Sequence, residues 1–75
     1  MNMCDAQMIF DRITGEYGKR LPPVAYPISV SNLQTLISGG AEKIQINVVK
    51  DNHFEHTVKY RGRLFTAINT DQIST

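Results

Sequence analysis

The run KIQINVVKDNHFEHTVKYRGRLFTAIN, residues 43–69, decides the fold. Ile44, Ile46 and Val48 fall on one side of an alternating pattern and Gln45, Asn47 and Val49 on the other, which is the period of a β-strand. Phe54, His56, Val58 and Tyr60 repeat the alternation, with Glu55, Thr57 and Lys59 opposite. The turn formers Asp51-Asn52 separate the two runs. Leu64 to Ile68, with β-prone Phe65 and Thr66, continues beyond Arg61-Gly62. The expected strands are 43–50, 54–60 and 63–69, a small antiparallel β-meander of two to three strands. A tight turn at Arg61-Gly62 makes three, pairing Tyr60 with Arg63, Val58 with Phe65 and His56 with Ala67. A bulge at Gly62 makes two, the second long and bent. The turn is preferred because it keeps Phe65 and Ala67 on the apolar face.

Register between the first two strands follows from the same alternation, since a slip of one residue moves every side chain to the other face. A two-residue turn at Asp51-Asn52 sets Ile44 against Lys59, Ile46 against Thr57 and Val48 against Glu55, mixing polar and apolar. A three-residue loop, Asp51 to His53, sets Ile44 against Tyr60, Ile46 against Val58 and Val48 against His56. It leaves Gln45/Lys59, Asn47/Thr57 and Val49/Glu55 on the wet side, so the odd loop is the expectation.

Toward the N-terminus, Gly39-Gly40 closes a short helix expected over 31–38, with Leu33, Leu36 and Ile37 as its buried stripe. Ser31 to Gln34 reads as its capping box. Residues 19–30 form a proline-braced arm: Pro22, Pro23 and Pro27 forbid helix, while Leu21, Val24, Tyr26 and Ile28 are too apolar for a tether. Such an arm lies across the core or across a partner. Ala6, Ile9, Phe10, Ile13 and Tyr17 recur at helical steps, giving a first helix over 4–14 that starts after Asn2 or Asp5 and stops near Gly15 or Gly18. Residues 70–75 read as a polar tail. The fold class is α+β in a single domain spanning 1–75.

Composition narrows the function. The chain has 75 residues, 41% of them apolar and 20% charged, enough for one small core. A net charge of +1 gives no global field for nucleic acid or acidic membrane. The single cysteine, Cys4, forms no internal bridge, and the N-terminal residues lack a basic signal-peptide region, so a cytoplasmic location is expected. Leu21 to Ala41 is uncharged and long enough for a bilayer, but its prolines, glycines and hydroxyl and amide side chains mark a loop and a short helix.

No chemistry is spelled out. Cys4, His53 and His56 are ligand types, yet His53 and His56 stand three apart and face opposite sides of a strand, so no metal or other cofactor is expected. Nothing places Cys4 beside a histidine and a carboxylate, and Gly39-Gly40 precedes a strand rather than a helix, so no enzyme is expected. What remains is a protein-binding or regulatory module acting through the apolar arm and a sheet edge, by self-association as a homodimer or with another chain. Tyr17, Tyr26, Ile28 and Arg61 are its candidate contact residues by type and position. The alternative partner is nucleic acid on the basic hairpin, with Lys59, Arg61 and Arg63 on phosphates.

Overall fold

The computed structural model describes residues 3–70 and places Met3–Tyr17 in helix α1. Ala6 and Ile13 are buried and Ile9, Phe10 and Tyr17 pack against the core, the stripe that the spacing predicts. The helix outruns the expected 4–14 because Gly15 is carried inside it. Its stop is Gly18, φ +51°, whose N–H donates to the Gly15 carbonyl at 3.0 Å. Asp5 lies in the first turn rather than before it, and Asn2 is outside the described residues.

The arm leads into strand β1, Tyr26–Pro27, and then helix α2, Val30–Ser38. The cap of α2 is Ser29, not Ser31: the Ser29 Oγ accepts the Asn32 N–H at 3.1 Å. Ser31 is already helical, and its carbonyl accepts the Thr35 hydroxyl at 3.1 Å, which is how Thr35 enters the core at 4% exposure. Gly40, φ +104°, ends the helix with its N–H on the Ile37 carbonyl. Strands β2 (Glu42–Lys50), β3 (His53–Tyr60) and β4 (Arg63–Asn69) follow.

The sheet has four strands in the order β1-β4-β3-β2, not two to three. The added strand is the arm: Tyr26 and Pro27 lie parallel to β4 opposite Phe65 and Thr66, and the Ile28 N–H donates to the Thr66 carbonyl at 2.9 Å. β3 and β4 meet at the Arg61-Gly62 turn in the expected register, Tyr60 with Arg63, Val58 with Phe65 and His56 with Ala67. Positive φ at both Arg61 and Gly62 gives the backbone twist that suits a two-residue hairpin.

The first hairpin departs from expectation. Its loop has two residues, Asp51-Asn52, closed by Lys50 opposite His53, with Asn52 at φ +60°. A register shift at Val49 then brings Val48 opposite Phe54 and Ile46 opposite His56. The polar set Gln45/Thr57 and Asn47/Glu55 forms the other face. The bulge, rather than an odd loop, restores the match between apolar sides. A second shift at Ile44 moves Lys43 opposite Val58 and Glu42 opposite Lys59, so Ile44 does not meet Tyr60.

The two helices cover one face of the sheet. Leu33, Leu36, Val58 and Phe65 are fully buried there, each contributing about 1.5–3 kcal/mol of apolar burial. Five rings knit the layers: Phe10 meets Tyr60 and Phe65 at 5.7 and 5.9 Å, and Tyr26 stacks on Phe65 at 5.3 Å and meets Tyr17 at 4.8 Å. A thin dimension of 17 Å leaves room for one helical layer, so the opposite face stays open with Lys59 and Ile68 exposed.

Candidate protein-binding surface

Among the described residues, the core draws on α1, α2, β1, β3 and β4 and takes nothing from β2. Every β2 residue except Lys43 is exposed. Ile44, Ile46, Val48 and Val49 show 48%, 42%, 72% and 51% of their surface. Alternation assigns Ile44, Ile46 and Val48 to the apolar face and Val49 to the other, and no helix covers any of them. Position explains the exposure: the helices pack over β3 and β4, and β2 lies beyond β3 at the end of the strand order. β2 is also the last strand in the sheet, so its outer row of N–H and C=O groups faces no ladder.

The opposite edge carries a second apolar feature. Leu21 and Val24 of the arm are 92% and 91% exposed. The sequence candidates gather near this edge. Tyr17 is half-buried between the Tyr26 ring and the Arg20 guanidinium, which sits 5.4 Å from its centroid. Tyr26 itself is 3% exposed and belongs to the core, and Ile28 is half-buried. Arg61 stands apart from them, exposed in the β3–β4 turn.

The basic hairpin is likewise placed. Lys59, Arg61 and Arg63 are exposed at one end of β3 and β4, and Lys59 and Arg61 border a 490 Å³ depression with Glu42, Gly39 and Gly40. The rings interleaved with them turn inward: Tyr60 is 7% exposed and Phe65 is fully buried. No base can stack on either. Glu42 and the carbonyl end of α2 add negative potential to the depression.

Cys4 is exposed on α1, His56 is buried on the helix side of β3, and His53 Nδ1 lies 2.9 Å from the Asp51 carbonyl oxygen in the hairpin turn. The described residues include no group of three or more His, Cys, Asp or Glu side chains able to hold a metal ion. An apolar groove of 530 Å³ runs along α1, lined by Met8, Ile9, Arg12 and Thr35 among others. No described helix is long and apolar enough to cross a membrane.

Comparison with known protein families, with curated proteins and with solved structures finds no match to this chain.

Sequence reasoning expects a free sheet edge but does not say which strand forms it. Alternation tells which side of a strand is apolar, but not whether anything covers it.

Proposed function

We propose that the chain is a binding module that works by protein contact through the β2 edge, with the exposed arm residues Leu21 and Val24 as a second contact, and that it performs no chemistry. One observation carries the reading: a nine-residue edge strand bearing Ile44, Ile46, Val48 and Val49 contributes nothing to the core. Exposed, β-branched edge strands promote aggregation unless occupied, and adding a strand satisfies backbone and side chains together. Glu42, Lys43 and Lys50 at the strand ends keep the free form soluble and give a partner charges to read. Contact with nucleic acid through Lys59, Arg61 and Arg63 has cations in its favour but lacks an exposed ring to stack a base.

Two immobilised baits test the reading, the wild-type chain and Val48→Lys, with the 260/280 nm absorbance ratio of the freshly purified protein measured at low and high salt. The expected result is protein retained by the wild-type bait, lost on Val48→Lys and insensitive to salt. Co-purifying nucleic acid that is shed at high salt and abolished by Lys59→Ala/Arg61→Ala/Arg63→Ala overturns it.

A further inference from the structure

We infer that the occupant of the β2 edge is β2 of a second copy, paired antiparallel about a two-fold axis through Ile46 to make a continuous eight-stranded sheet. The inference rests on the reading of β2 as the binding edge and adds partner and register.

The strand is complementary to its own reverse. With Ile46 opposite its symmetry mate, Glu42 faces Lys50 of the second copy, Ile44 faces Val48 and Gln45 faces Asn47, each pair occurring twice. Lys43 faces Val49, and its long aliphatic stem lies alongside that apolar side chain. Moving the axis by one residue loses the Glu42/Lys50 pair and sets apolar against polar twice over. About Asn47, Ile46 still meets Val48, but Ile44 meets Lys50 and Gln45 meets Val49; about Gln45, Ile44 still meets Ile46, but Glu42 meets Val48 and Lys43 meets Asn47. Of the three, only the register about Ile46 sets opposite charges against each other within β2.

Three features of the molecule agree. The ladder to β3 is regular from Gln45 to Val48, so the central pairs Ile46/Ile46 and Gln45/Asn47 fall in regular strand, and between them and Glu42/Lys50 each strand carries one bulge, at Ile44 on one and Val49 on its mate. The other sheet edge offers no substitute: β1 is two residues long and Pro27 has no N–H, so head-to-tail pairing of β1 with β2 has no ladder to form. A net charge of +1 opposes self-association only weakly.

The test uses the full chain carrying Cys4→Ser. Sedimentation velocity from micromolar to millimolar protein is expected to show a monomer–dimer equilibrium. Glu42→Lys or Lys50→Glu alone places like charges opposite each other twice and weakens the dimer roughly tenfold, while the double swap Glu42→Lys/Lys50→Glu restores it to within about threefold. Under oxidised glutathione, Ile46→Cys links two copies through a disulfide and Asn47→Cys does so far less, because antiparallel partners lie about 4.5–5.5 Å apart at Cα and diagonal ones lie further away. Circular dichroism checks the fold of each variant, and the cysteine mapping stands independently of the charge variants. A monomer at millimolar concentration overturns the second copy, and the β2 reading then stands or falls on whether Val48→Lys abolishes capture of a different protein. A dimer that ignores the charge swap, or that links through Asn47→Cys in preference to Ile46→Cys, overturns the register.

Discussion

Arg61 holds a backbone angle, φ +52°, that an L side chain adopts at a cost and that asparagine tolerates. Because its side chain is exposed, Arg61→Asn relieves the strain without touching the core. We expect a stabilisation of about 0.5–1 kcal/mol, read as a rise in melting temperature of a few degrees. Phe65 is the opposite case. It is fully buried and contacts the rings of Phe10 and Tyr26, so Phe65→Ala removes about 3–5 kcal/mol. A chain of this size holds about 4–11 kcal/mol in total, so the urea midpoint of Phe65→Ala should fall by roughly half. Residues also explain where the sequence was legible. Arg61-Gly62 announces a tight turn by its glycine, and the β3–β4 register follows from it. Asp51-Asn52 announces a turn equally well, but no residue type distinguishes an odd loop from an even loop with a bulge at Val49.

At the scale of elements, the cap of α2 gives a sharp comparison. Ser29→Ala removes the acceptor for the Asn32 N–H and should destabilise by about 1 kcal/mol, whereas Ser31→Ala should change stability by less than about 0.5 kcal/mol. A thermal melt of the two variants side by side settles which serine caps. The capping box at Ser31 misled because three polar residues of the right type lie within four positions, and local chemistry alone does not select among them. β2 supplies the other element-scale expectation. Val48 is 72% exposed, so Val48→Lys leaves monomer stability within about 0.5 kcal/mol in chemical denaturation while removing apolar contact area from the edge. The helix stripes and the three long strands were readable from periodicity. β1 was not, since two residues carry no period and its partner β4 lies far along the chain.

For the whole molecule, stability is unevenly distributed. α1, α2, β3 and β4 share one core, whereas β2 is held by a single ladder to β3. Amides from Ile44 to Val49 should therefore exchange with deuterium through local opening, well ahead of those in the middle of β3 and β4. If a second copy occupies the edge, that exchange slows as protein concentration rises, and mass-detected exchange at two concentrations reads the difference. The fold class was visible in the alternation of helical and two-residue periods. Which strand edge lies uncovered was not, because coverage is a property of the assembled layers and no single segment reports it.

The parallel contact between Tyr26 and Phe65 also fixes a schedule for birth on the ribosome. At about 5–20 residues per second, the Tyr26 ring waits about 2–8 s before its stacking partner has been made. Over the last 15 residues of that interval, about 1–3 s, β2 has been synthesised and Phe65 has not, so the nascent chain carries its most aggregation-prone segment before the core that anchors its neighbour can close. The growing polypeptide thus presents, for a few seconds, the kind of extended apolar stretch that a chaperone grips.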